Sequence, residues 1–154
     1  MCEIVILIGL QASGKTTFFR RHFEATHVHV SKDLFPNARK RERRQLRDVE
    51  TALDSSRSVV VDNTNATSEA RAGLIDTARQ HGAQVIGYYF DATVDACRAR
   101  NELRQGKSRV PVVALYATVK VFEKPSVEEG FDELHVVRIA ESGFLVLPWK
   151  EMER

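Results

Sequence analysis

Cysteine is scarce in this chain of 154 residues: Cys2 and Cys97 are the only two, with no Cys-x-x-Cys pair and no cysteine–histidine cluster. That excludes a disulfide framework and a zinc centre, and it fits reduced thiols. Charge of one sign is also missing. Lys and Arg number 23 against 21 Asp and Glu, for a net charge of +2, so attraction to nucleic acid has to come from where the basic residues lie. Long hydrophobic runs are absent as well. The run Ile4 to Ile8 is too short for a signal-peptide core and far too short for a membrane span. There is no internal repeat and no low-complexity linker. The expectation is one domain over residues 1–154, cytoplasmic and without a membrane contact.

What is present is alternation. EIVILIG reads as a buried parallel strand, and TTFFRRHFEA as a helix from Lys15 to about Ala25. HVHVSKD gives a short strand ending near Asp33, and FPN a turn. ARKRERRQLRDVETALDSS is a helix from about Ala38 to Ser55 with a basic first half. SVVVDNTN is a buried strand that turns polar at Asp62. The next helix has Thr67 or Ser68 as N-cap and Gly82 as C-cap. AQVIGYYFDA is a strand, TVDACRARNELRQG a helix closed by Gly106, and Val112 to Glu123 a further helix. LHVVRIA is a fifth strand, and GFLVLPW a short sixth that closes the sheet edge with Trp149. Strands alternating with helices imply an α/β fold, a parallel sheet with helices on both faces. Ligands in such sheets bind beyond the carboxyl ends of the strands, where Asp33, Asp62 and the loop GLQASGKTT all fall.

That loop fits GxxxxGK[ST] at every fixed position: Gly9, Leu10, Gln11, Ala12, Ser13, Gly14, Lys15 and Thr16, followed by Thr17. The glycines allow backbone angles closed to other residues and close approach to an anion. Successive N–H groups then face inward at the positive end of the following helix. Lys15 reaches the terminal phosphates of a nucleotide, and the Thr16 hydroxyl ligates Mg²⁺. The motif sits between a buried strand and a helix, as this chemistry requires, and predicts a Mg-nucleotide site of the P-loop NTPase class.

A phosphate loop alone does not separate a GTPase, a motor and a kinase. No NKxD-type base-reading segment is present, and the chain is short for a motor. A kinase needs a base for the acceptor hydroxyl and cations over the transferred group. Asp33 is the candidate base, with a turn cap beside Pro36 as its alternative role. Asp62 is placed to hold Mg²⁺ through water or to position the acceptor; its alternative is a buried carboxyl bonded to its own loop. Asn65 is either a substrate contact or a turn residue. In RARNELRQGKSR, Arg100 and Arg104 are four apart and share a helix face, with Gly106 as a hinge. Guanidinium forks suit the charge of a phosphoryl transfer, although an arginine pair is also an ordinary solvated face. His27 and His29 read as strand packing rather than metal ligands.

GLQASGKTTF, HVSKD, VVVDNTNATSEAR, CRARNELRQGKSRVP and VFEKPSVEEGFDEL, in that order, resemble the kinase domain of the 5′-hydroxyl polynucleotide kinases, the kinase halves of polynucleotide kinase/phosphatases. The resemblance implies an adenylate-kinase-like P-loop domain with an arginine lid, and transfer of the ATP γ-phosphoryl to the 5′-OH of DNA or RNA with Mg²⁺. It implies that Lys15 and Thr16 act on donor phosphates and metal, Asp33 as base, Asp62 near the acceptor, and Arg100 and Arg104 as lid arginines, with Arg104 on the donor phosphates. Lys32 stands where several members have arginine before the base. Pro36 stands where bacteriophage members place an acceptor-phosphate arginine, and Arg39 is the nearest candidate. No DxDGT-like phosphatase motif occurs, so a kinase alone is expected, with any separate phosphatase or ligase partner unidentified.

Arg39, Lys40, Arg41, Arg43, Arg44 and Arg47 crowd the start of the second helix, where they either track a nucleic-acid backbone or form a solvated face. Two further readings stay open: a P-loop kinase of a small hydroxylated substrate such as a nucleoside, antibiotic or sugar nucleotide, and a nucleotide-binding regulator with little turnover.

Overall fold

A computed structural model describes residues 1–149. In chain order the elements are β1 (Glu3–Ile8), α1 (Lys15–His22), β2 (Val28–Val30), α2 (Arg41–Asp54), β3 (Val59–Asp62), α3 (Ser68–Gln80), β4 (Gln84–Phe90), α4 (Val94–Leu103), α5 (Val112–Val121), β5 (Glu133–Ala140) and β6 (Gly143–Pro148). They form one six-stranded sheet ordered β2-β3-β1-β4-β5-β6. The first five strands run parallel, and β6 returns antiparallel along β5. The expected α/β sheet with helices on both faces is thus met, with an antiparallel edge.

The continuous apolar character of β1 has a simple cause. Ile4, Ile6 and Ile8 pack on one face with Val49, Leu74 and Ile75, while Val5 and Leu7 pack on the other with Phe18 and Phe19. A strand covered on both faces cannot afford a polar residue on either. Phe18 sits edge-on to Phe90 and Phe144, with ring centroids 5.3 and 5.2 Å away, and so ties α1 to β4 and β6. Trp149 is buried with Leu134 and Val136 beneath the β5–β6 edge, as expected.

Several boundaries differ from the sequence expectation. α1 stops at His22 rather than Ala25, because residues 23–27 fold back in tight turns onto Phe19 and Phe23 carbonyls. β2 ends at Val30, and Asp33 lies beyond it in a single helical turn, Lys32–Leu34, capped by the Ser31 hydroxyl. α2 begins at Arg41, not Ala38: Lys40 has a φ of 53°, a left-handed conformation that cannot continue a helix backwards. Arg39 and Lys40 are therefore outside the helix. α3 opens on Thr67, whose hydroxyl accepts the Ala70 N–H, and is followed by Gly82 at φ 66°. α5 ends at Val121, two residues short of the expected Glu123.

The largest difference concerns the lid. α4 ends at Leu103, not at Gly106, and Arg104 is extended. The cause is the buried Asn101, whose side chain takes both backbone groups of Val110: it donates to the carbonyl at 2.7 Å and accepts the N–H at 2.9 Å. This clip draws the chain back before another helical turn forms. Arg100 and Arg104 consequently do not share a helix face.

Candidate functional site

The phosphate loop follows β1 and leads into α1. Ala12 (φ 63°) and Gly14 (φ 99°) are both left-handed, the backbone pattern that turns successive N–H groups to one side. A Cβ on Gly9 would lie 2.9 Å from both the Phe90 Cβ and the Ser13 Oγ, so only glycine fits there. Ser13 is buried inside the loop, and Thr17 is exposed on the first turn of α1. Gln11 donates to the Thr118 hydroxyl at 2.9 Å and fastens the loop to α5.

Lys15 is curled inside this cradle. Its ammonium donates to the carbonyls of Gly9 (3.0 Å) and Leu10 (2.7 Å). Burial lowers its pKa from an ordinary 10.5 to about 8, with Arg104 adding to the effect and Asp62 opposing it. Phosphates restore the charged form. At pH 8 the empty site is half protonated, so ATP binding should take up about half a proton per site, and affinity should fall as pH rises further. The dependence of calorimetric ATP-binding enthalpy on buffer ionisation enthalpy measures this, and zero uptake would contradict it. For folding of the empty protein the sign is opposite. The unfolded lysine keeps its proton up to 10.5, so the burial cost is full below pH 8 and is relieved between 8 and 10.5.

Asp62 ends β3, beside Leu7 of β1. Its Oδ2 accepts the Thr16 hydroxyl at 2.7 Å and the His29 Nε2 at 2.8 Å. Burial raises its pKa, but the bonds from His29 and Thr16 and the nearby Lys15 outweigh that and hold the carboxyl below the usual range. Thr16 thereby spends its hydrogen on Asp62 and keeps its lone pairs. A hydroxyl oxygen beside an ionised carboxylate is the hard oxygen set that Mg²⁺ takes, so the residues fit that ion.

Asp33 is open. Its side chain is 94% exposed, and Arg41 stands 3.8 Å away. Arg39 is exposed in the loop that follows. Asn65 is buried, not at the open face: its amide donates to the carbonyls of Leu7 (2.7 Å) and Val61 (3.3 Å), the ends of β1 and β3. Its own carbonyl accepts the buried Arg71 at 2.8 Å, and Arg71 is held bidentately by Glu129. Arg100 crosses from α4 to donate to the Ala12 carbonyl at 3.3 Å. Arg104 bonds the Ser108 carbonyl at 3.1 Å inside the lid, close enough to act electrostatically on Lys15.

On the α4 and β5–β6 side, two adjoining grooves of about 250 and 390 Å³ open next to the loop. Arg100 and Ile139 line both; Thr93 and Ala96 belong to the first, Thr17 and Phe144 to the second. The β hairpin presses on the loop, since a Cβ at Gly14 would meet the Phe144 ring at 3.1 Å.

The family described as "AAA domain" matches residues 4–125. The chain belongs to it. Among curated proteins, this AAA-domain chain is 29% identical over 139 residues to the bifunctional polynucleotide phosphatase/kinase of Schizosaccharomyces pombe. The match covers 88% of this chain and 33% of that protein, so the chain spans about a third of the relative's length. The resemblance read from the sequence is therefore found. Among solved structures, Chaetomium thermophilum Kti12, in complex with ADP-AlF3, superposes with a TM-score of 0.75 at 18% identity, covering 90% of this chain and 92% of that one. A Janibacter sugar kinase gives a TM-score of 0.67 at 18% identity over 90% and 86% of the two chains. The fold is that of the P-loop kinases.

Sequence reasoning missed five participants. His29, expected only to pack, bonds Asp62. Asn63 accepts the Lys32 N–H at 2.9 Å and donates to the buried Gln45, joining the ends of β2 and β3 to α2. Arg71 with Glu129, and Asn101, are the others. Only the alternation of HVHV, which puts His29 on one strand face, carried any signal. Among the described residues no cluster of three metal-ligating side chains occurs, and no helix is long and apolar enough to cross a membrane.

Proposed function

We propose that the chain transfers the γ-phosphoryl group of ATP to the 5′-OH of a polynucleotide, DNA or RNA. The observation that carries this is the order of groups along the carboxyl edge of the sheet: Asp33 beyond β2, Asp62 at β3, the phosphate loop at β1, and the grooves beside β4 and β5. A nucleotide with its base in the grooves and its phosphates in the loop presents its γ-phosphorus toward β2. A hydroxyl held at Asp33 then faces that phosphorus from the side opposite the leaving ADP.

In this reading the Asp33 carboxylate takes the acceptor's proton as its oxygen bonds phosphorus, and the bond to the bridging oxygen of ADP breaks. Lys15 leaves its loop carbonyls for the phosphates, while Arg100 and Arg104 offset the spread charge of the transferred group. Mg²⁺, held by Thr16 with Asp62, supplies further charge neutralisation.

Two features favour a polymer over a small acceptor. Asp33 stands almost fully in the open rather than in a closed pocket. Arg39, Lys40, Arg43 and Arg44 are exposed on the same flank, with the Arg44 guanidinium 4.5 Å from the centre of the Phe35 ring. The phosphatase/kinase relative points the same way.

Labelled γ-phosphate from ATP should appear on a 5′-OH oligonucleotide, with a KM that rises steeply with salt. Label appearing only on a nucleoside or sugar would replace this reading with the small-substrate one. No label on any acceptor, with ATP bound, would favour a regulator.

A further inference from the structure

The site's one carboxylate–imidazole pair is unassigned to any step. His29 and Asp62 lie on adjacent parallel strands, with His29 opposite Val60, so Asp62 is two residues further along and on the same face. The imidazole stacks on the Phe19 ring of α1, with centroids 4.2 Å apart and planes at 17°. That stacking fixes the ring plane and aims Nε2 at Asp62 Oδ2, 2.8 Å away. A carboxylate only accepts, so Nε2 carries the hydrogen. Oδ2 then has two donors, His29 and Thr16, which together define where the carboxylate sits.

We propose that His29 is a positioning residue, which fixes the Asp62 carboxylate and through it turns the Thr16 lone pairs toward a nucleotide-bound divalent cation. The proposal rests on the Mg-nucleotide reading of the site. Its logic is that of an outer partner orienting an inner ligand. Without the imidazole, Asp62 keeps one donor and can rotate about its side-chain bond. Thr16 is then free to turn its hydrogen elsewhere, and the oxygen pair loses its common orientation.

His29→Phe keeps a ring to stack on Phe19 and removes the donor. His29→Gln loses the ring but retains an N–H at similar reach. The measurement is calorimetric binding of ADP, first in EDTA and then across a Mg²⁺ titration, alongside thermal melting. His29→Phe should bind metal-free ADP as the parent does, yet need about 10- to 100-fold more Mg²⁺ to reach the tightened state. His29→Gln should return most of the way to the parent requirement. An unchanged Mg²⁺ requirement in His29→Phe overturns the proposal. So does an equal loss of metal-free ADP binding, which would make His29 a scaffold residue only. If His29→Phe does not fold, His29→Leu takes its place beside His29→Gln: a raised Mg²⁺ requirement in His29→Leu that His29→Gln largely restores upholds the role of the N–H, and equal requirements in the two variants overturn it. A parent protein showing no Mg²⁺-dependent tightening defeats the Mg-nucleotide reading itself, and is seen before any variant is made.

Discussion

Asp33→Asn is expected to lower kcat by about 10²- to 10⁴-fold while ATP affinity and melting temperature stay at the parent values. The separation follows from where the residue sits. Its side chain is 94% exposed, and the ion pair with the half-buried Arg41 spans 3.8 Å at the surface. Such pairs contribute at most about 1 kcal/mol. The bond that shapes the turn comes from the Asp33 backbone N–H to the Ser31 hydroxyl at 3.2 Å, and asparagine preserves it. Asparagine also matches the side chain in shape, so only the ability to take a proton is lost. Single-turnover transfer to a 5′-OH oligonucleotide, read beside ATP binding, measures the effect. A variant with parent kcat would remove Asp33 as the base and leave it as a turn cap.

Arg71→Ala is expected to cost about 3 to 5 kcal/mol of stability, the range for stripping one partner from a buried ion pair. Arg71 is fully buried, held by Glu129 through Nε at 2.8 Å and Nη2 at 3.2 Å. Removing the guanidinium leaves the carboxylate of Glu129 uncompensated and the Asn65 carbonyl without its 2.8 Å partner. Replacing both members with apolar residues, Arg71→Met with Glu129→Leu, should recover a large part of the loss, because no lone charge remains. Urea unfolding reads both, as a shift in midpoint at unchanged slope. A loss under 1 kcal/mol for Arg71→Ala would mean that water reaches the pair. The effect should extend to the site, since Asn65 bridges the ends of β1 and β3, which carry the phosphate loop and Asp62.

The parts legible in the sequence are those written locally. Strand β1, the loop and α1 form one uninterrupted pattern, and the run SVVVD ends on Asp62 as read. The parts that were not legible depend on register between distant segments. Thr16 and Asp62 are 46 residues apart, His29 and Asp62 33, and Arg71 and Glu129 58. No local pattern announces such partners. Boundaries failed where a side chain or a backbone angle overrode propensity. Gly106 looked like the end of α4, but Asn101 ends it at Leu103 by taking the backbone of Val110. The basic run looked helical from Ala38, but the left-handed Lys40 holds Arg39 outside.

The Asn101 clip has a kinetic side. A flap that must be assembled from a loose strand pays chain-closure entropy on every cycle, and that cost grows with the logarithm of its length. Here the two ends of the segment from Asn101 to Val110 are already joined by a pair of hydrogen bonds from the buried Asn101 side chain. Arg104 therefore sits on a loop whose ends are already closed, and a search for that closure is no part of ordering the loop around a ligand.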